Sequence, residues 1–355
     1  MNKKSIFHSA NTKVSLSTIL LIGIFLLLSR CSNSAKKEDV KESAKTVFPS
    51  EVIPFFDHWN LILGDGSNAR VANNMEHKDF FYTTNDGTTN WVVFKAPNLG
   101  GLHGTSKNTR TELAQLKKWT PLTEAKLSAT LKVMNVSASG DDHKSSAHAV
   151  VIGQIHSADG HENEPLKIFY KKFPGHTKGS VYWNYEINTA GDDNGGRFDF
   201  STGVWGDVSV VDPKENKIPE EPKDGIALGE EFSYEVVVKD GIMTLKFTSE
   251  GHETKSFTKN LIISEFTTKA DIPAGKVGVE RKNAYSNEGC FFKLGSYNQT
   301  NGVSTGAETY GGDIQKQYET GNYAEVWFKT ATIFVSDAAV SNEGYFTKND
   351  YWDKK

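Results

Sequence analysis

From Trp91 onward the chain alternates between short runs rich in β-branched and aromatic residues and clusters of Gly, Asn, Asp and Pro. The runs are Trp91–Phe94, Lys126–Val133, Ala149–Ile155, Leu166–Tyr170, Val181–Ile187, Phe232–Val238, Met243–Thr248, Lys276–Glu280, Cys290–Tyr297 and Ala324–Phe334. Their length and composition predict strands. Lys239-Asp240-Gly241-Ile242 predicts a hairpin turn, with Asp-Gly supplying the positive backbone angles. Pro49–Ile53 predicts a short helical turn. No stretch shows the periodicity of a long amphipathic helix, and no internal repeat is present. Many antiparallel strands in one large unit predict an all-β fold, a sandwich or jelly roll. The polar stretches Gly191–Gly196 and Val211–Lys223 predict long loops, which either rim a cleft or simply cross the surface.

The N-terminus follows a different pattern. Lys3 and Lys4 precede the apolar run Ile19–Leu28, which Cys31 closes. Basic, then apolar, then small or Cys is the order of an export signal, and the run is short for a membrane span. Leu28-Ser29-Arg30-Cys31 resembles a bacterial lipobox, with Arg30 where a small residue is usual. Lipidation at Cys31 would tether the protein to a membrane surface without spanning it. Residues 32–47 are polar and rich in Lys, Glu and Ser, and predict a flexible tether. The expected organisation is an export signal over 1–31, a tether over 32–47 and one β-sandwich domain over 48–355. The expected location is outside the cytoplasm: an outer-membrane or cell-surface lipoprotein, or a secreted or periplasmic protein.

Composition narrows the classes. The only cysteine besides Cys31 is Cys290, so if Cys31 is lipidated or removed, a packed core rather than disulfides must stabilise the mature chain. A monomer is expected. A net charge of −4 gives no reason to expect nucleic acid. An acidic polymer remains open, because the local field in a cleft decides such binding.

Alternation in three runs then brings polar groups onto single faces. In Cys290–Gln299, Lys293, Gly295, Tyr297 and Gln299 share one side, with Phe292 and Leu294 opposite. In Val150–His156, Gln154 and His156 lie together and Ile155 points away. In Arg110–Ala114, Arg110 and Glu112 share a face against Thr111 and Leu113. Arg, Gln, His and Tyr together suggest a lined groove rather than a solvent face. Gly295 leaves room for a close approach to the backbone.

These segments carry a family resemblance. Arg110-Thr111-Glu112-Leu113 resembles the Arg-(Ser/Thr)-Glu-Leu-Arg motif of alginate lyases in polysaccharide lyase family seven. Gln154-Ile155-His156 matches that family's Gln-(Ile/Val)-His motif. Phe291-Phe292-Lys293-Leu294-Gly295-Ser296-Tyr297-Asn298-Gln299 resembles its Tyr-Phe-Lys-Ala-Gly-X-Tyr-Asn-Gln motif. The order agrees, and the likeness runs from about Pro49 to Val335. Ala114, Phe291 and Leu294 depart from the family's Arg, Tyr and Ala.

The resemblance implies a jelly-roll sandwich with a concave groove, alginate as partner, and β-elimination with no cofactor or metal. It implies that Arg110 and Gln154 neutralise the uronate carboxylate, so that the C5 proton becomes removable. His156 is suited to act as base, and Tyr297 to protonate the departing O4 or to act as base itself, depending on the epimer. Glu112 either orients Arg110 or forms a structural ion pair, and Lys293 and Gln299 are either groove contacts or surface groups. Ile155 resembles family members that accept guluronate-containing blocks. Two rivals stand beside this reading: a lyase for glucuronan or another polyuronate, and a non-catalytic carbohydrate-binding sandwich. His143, His148, His156, His161 and His176 lack a recognised zinc spacing, and Asp192-Asp193-Asn194 lacks a full calcium-loop signature.

Overall fold

Two antiparallel sheets carry the chain in the computed structural model, which describes residues 47–53, 58–70, 74–104, 106–157, 164–187, 198–208, 217–263, 285–286, 288–300 and 313–336. The expected export signal, most of the tether, Lys276–Glu280, Gly191–Gly196 and His161 lie outside these residues. The front sheet runs β10 (Phe198–Trp205), β9 (Lys178–Ile187), β8 (Leu166–Lys171), β7 (Ala149–Ser157), β15 (Cys290–Asn298), β5 (Arg110–Gln115), β1 (Trp59–Ile62) and β2 (Asn68–Arg70). The short β11 (Ile226–Ala227) pairs with β9 off this path. The back sheet runs β14 (Lys255–Asn260), β13 (Ile242–Ser249), β12 (Glu231–Lys239), β6 (Ala125–Asn135), β16 (Tyr323–Val335), β4 (Asn90–Pro97) and β3 (Phe81–Asn85). Helix α1 (Pro49–Val52) is the anticipated turn, and α2 (Ile314–Glu319) is capped by Asp313, whose carboxylate accepts from Lys316 N at 2.8 Å.

The back sheet shows the alternation that its sequence predicts. Leu127, Ala129, Leu131, Val133, Tyr234, Val236, Leu245 and Phe247 turn inward, and the residues between them on each strand are polar and at least partly exposed. Asp240 and Gly241, with φ of 50° and 80°, join β12 to β13 as the sequence required. The front sheet behaves differently. All of β5, and all but one residue in each of β7 and β15, are buried, polar positions included. A sheet buried on both faces while half its side chains are polar needs those groups to satisfy one another.

Cross-sheet contacts fix the core between the sheets. Thr111 Oγ1 donates to Lys95 O at 2.7 Å, and Tyr234 Oη donates to Ile152 O at 3.1 Å. A Cβ at Gly153 would stand 2.6 Å from Tyr234 Oη, so only glycine admits that tyrosine to β7. Strands β1, β2, β3, β10, β11 and β14 were not anticipated. They are short or mix Thr, Asn, Ser and Lys among few apolar residues, and their pairing comes from neighbours distant in sequence. The described part of the Val211–Lys223 stretch packs at the start of β9, where Glu221 accepts from Thr177 Oγ1 at 2.8 Å.

Candidate active site

The three polar faces become one because β7, β15 and β5 are adjacent. Tyr297 stands opposite Arg110, and Lys293 opposite both Ala114 on β5 and Gln154 on β7. Phe291 stands opposite His156. Directly opposed residues of an antiparallel pair share a face. The other side of the same strands carries Leu113, Ile155, Phe292 and Leu294 into the core.

Glu112 is the centre of this face. Its carboxylate lies 2.8 Å from Lys293 Nζ and 3.3 Å from Arg110 Nη1, and accepts a short hydrogen bond from Gln154 Nε2. Burial opposes the charge on Glu112, but Lys293 and Arg110 outweigh it and hold the carboxyl below its usual range. Burial likewise pushes Lys293 down to about 8, against the pull of Glu112. Two cations, Arg110 and Lys293, thus flank one carboxylate.

His156 sits at the edge of the cluster. Its Nδ1 lies 2.5 Å from Ser157 O, a carbonyl that can only accept, so Nδ1 carries a proton. Its ring stacks on Phe291 at 5.0 Å. Burial drives the imidazole down to about 4, against the pull of Glu164, whose Oε1 is 3.5 Å from Nε2; Lys293 and Arg110 lower it further. At neutral pH His156 is therefore neutral, with its lone pair on Nε2.

Tyr297 is half-buried. The Arg110 guanidinium lies over its ring at 3.7 Å, and its hydroxyl is 2.9 Å from Ser106 Oγ. Its ring packs against a small apolar cluster of Val151, Phe169 and Tyr182. Gln299 lies beyond the last residue of β15, and its amide donates to Tyr297 O at 3.3 Å. The structure thus brings Arg110, Glu112, Gln154, His156, Lys293 and Tyr297 to one face and leaves Gln299 at the strand end. Lys293 is a buried partner of Glu112 rather than a surface group.

The glycine of the third motif does admit a close approach, from the neighbouring strand. Gly295 has φ of 145° and marks an irregularity where β15 slips against β7 between Leu294 and Tyr297. An added Cβ would collide with Thr111 O and the Phe94 ring. The close approach is to the neighbouring strand and the core, and the bulge lies immediately before Tyr297. Phe291 is on the site face, not in the core: it covers His156, with Lys118 Nζ 5.1 Å from its ring.

Among the described residues no group of three His, Cys, Asp or Glu side chains is placed to hold a metal ion. His148 instead bonds Ser137 O at 2.8 Å and Asp142 at 2.7 Å.

Comparison with known proteins decides the family. The alginate lyase family model matches residues 53–335. The chain belongs to the alginate lyase family. An alginate lyase from Klebsiella pneumoniae is 30% identical over 247 residues, covering 60% of this chain and 74% of that protein. The crystal structure of the exolytic PL7 alginate lyase AlyA5 from Zobellia galactanivorans is 57% identical, with a TM-score of 0.76 over 82% of this chain and 99% of that one. The crystal structure of the Klebsiella pneumoniae alginate lyase shares the fold, with a TM-score of 0.58 at 23% identity over 80% of this chain and 97% of that one.

Sequence reasoning missed four groups at this site. Lys167 on β8 stands opposite Gln154 and binds Glu164 at 2.8 Å and Glu186 at 2.6 Å. Burial opposes its charge, but the two carboxylates outweigh it and raise Lys167 above its usual range. Alternation along Leu166–Tyr170 flags Lys167 as a lone charge in an apolar run; Glu164 is three residues before it, but Glu186 lies on β9. Ser106, before β5, carries no local signal.

Proposed function

We propose that the protein depolymerises alginate by β-elimination, leaving an unsaturated uronate at the new non-reducing end. One observation carries the mechanism: Arg110, Gln154, His156 and Tyr297 share one face around the buried Glu112 carboxylate, which Arg110 and Lys293 flank. In this reading Arg110 and the second N–H of Gln154 Nε2 bind the substrate carboxylate and stabilise the enolate that forms as the C5 proton leaves. Neutral His156 offers Nε2 to the C5 proton of one epimer, and Tyr297 in its ionised form takes that of the other. Tyr297 gives its proton to the departing O4. Glu112 holds Arg110 and Lys293 in place rather than touching the substrate.

The 57% identity to an enzyme described as exolytic supports release of short products from chain ends. Export with lipidation at Cys31 fits a polymer substrate met outside the cell, and mass spectrometry of the mature N-terminus tests it. The activity test is formation of unsaturated uronate ends, followed by ultraviolet absorbance on mannuronate-rich and guluronate-rich alginate. Wild type should form them, with short oligomers appearing before the polymer's mean size falls. Tyr297→Phe should lose roughly a hundredfold or more in rate. A Tyr297→Phe variant as fast as wild type would refute the assigned chemistry.

A further inference from the structure

The segment before β5 puts a hydroxyl against the proposed acid. Ser106 Oγ accepts from Asn108 N at 3.1 Å. It lies 3.3 Å from Asn108 O and 2.9 Å from Tyr297 Oη. A serine hydroxyl has one proton to give. Of its two possible acceptors, the phenol oxygen is the nearer.

The segment is held at both ends. Leu99 N and O bond the Gln317 side chain at 2.8 Å each, and Thr109 Oγ1 bonds Pro97 O. Arg110 covers the face of the Tyr297 ring, so the hydroxyl rotates in a space bounded on one side by Ser106.

We infer that Ser106 is a positioning residue for Tyr297: it donates to Tyr297 Oη, which turns the phenolic proton toward the groove. This rests on the elimination proposed above. As C5–H breaks, its proton passes to His156 Nε2 and its electron pair becomes the C4–C5 double bond. The C4–O4 pair leaves with O4, and O4 takes the Tyr297 proton. The O–H pair stays on Tyr297 as a phenolate, to which Ser106 still donates. The phenol regains a proton from the base or from solvent, and no other reagent is needed. A donor aimed at an oxygen that becomes charged is stronger in the transition state than in the ground state. The opposite arrangement, with Tyr297 donating to Ser106 and Ser106 to Asn108 O, would hold the proton away from the substrate.

The test uses Ser106→Ala, Ser106→Thr and Ser106→Val in the full chain, with steady-state kinetics on alginate oligomers. Thr and Val have the same shape, and only Thr keeps the hydroxyl. A hydrogen bond to a charged group predicts that Ser106→Ala and Ser106→Val lose about ten- to a hundredfold in kcat. KM should change little, and Ser106→Thr should recover most of the rate. Equal rates for Thr and Val, a loss confined to KM, or a faster Ser106→Ala would overturn the inference. Should Ser106→Ala fail to fold, the Thr and Val pair still decides it. A wild type that forms no unsaturated ends would instead overturn the proposed function.

Discussion

Glu112 and Lys293 meet at 2.8 Å with side chains only 1% and 3% exposed, the most buried ion pair of the site. Charges this deep persist only when paired. Glu112 also serves Arg110 and Gln154, so its removal strands two cations and an amide together. Glu112→Gln should therefore destabilise the fold by about 3–5 kcal/mol. Urea denaturation measures it as a lower midpoint at unchanged slope. A change within about 0.5 kcal/mol, the range of ordinary surface substitutions, would show that the cluster does not depend on this carboxylate.

The same pair sets an alkaline limit. Burial places Lys293 at about 8, so it is charged below that pH and neutral above it. Once it is neutral, Glu112 offsets Arg110 and the positive charge beside the substrate carboxylate falls by one. kcat/KM on alginate should fall as pH rises through about 8. Lys293→Arg keeps a charge that does not titrate in this range, and should move the limb upward. An unmoved limb in that variant would assign it to another group.

Much of this site was legible from alternation alone. Each of Arg110–Ala114, Val150–His156 and Cys290–Gln299 separates an apolar face from a polar one, and the structure keeps that separation at Leu113, Ile155, Phe292 and Leu294. Adjacency was not legible, because β15 is inserted between β7 and β5 from far along the chain. For that reason Lys293 read as either groove contact or surface group, and its burial beside Glu112 removes only the second. Strict alternation also failed where the backbone departs from a regular strand. Gly295 interrupts the pairing with β7, and Gln299 lies past the strand end. Phe291 belongs to the face that covers His156, a placement that its apolar character disguised.

Gly295→Ala tests the bulge. A φ of 145° is costly for any residue with a Cβ, and this Cβ would also strike β5. The expected loss is about 1–3 kcal/mol of stability. Activity should fall as well, because the bulge lies immediately before Tyr297, whose ring Arg110 covers. Stability equal to wild type with full activity would mean that the strand accommodates a regular residue here.

His156 supplies an acid limit displaced from the ordinary range for histidine. Its surroundings are Phe291 and Lys293 from β15, Gln154 and the Ser157 carbonyl from β7, Arg110 from β5, and Glu164 with Lys167 on the far side. Burial, Lys293 and Arg110 disfavour the imidazolium, and only Glu164 and the Ser157 carbonyl favour it. The group is therefore neutral from neutral pH down to about 4. kcat/KM should show no inflection near 6.5, the value of a free imidazole. Glu164→Gln removes the attraction for the imidazolium and leaves Lys167 less compensated. Both effects lower the imidazole further, so the variant should protonate at still lower pH. Proton NMR of the His156 ring, read from pH 3 to 8 against a His156→Gln control, follows this directly. An imidazole that titrates near 6.5, or one raised by Glu164→Gln, would overturn the placement of His156 as a neutral base.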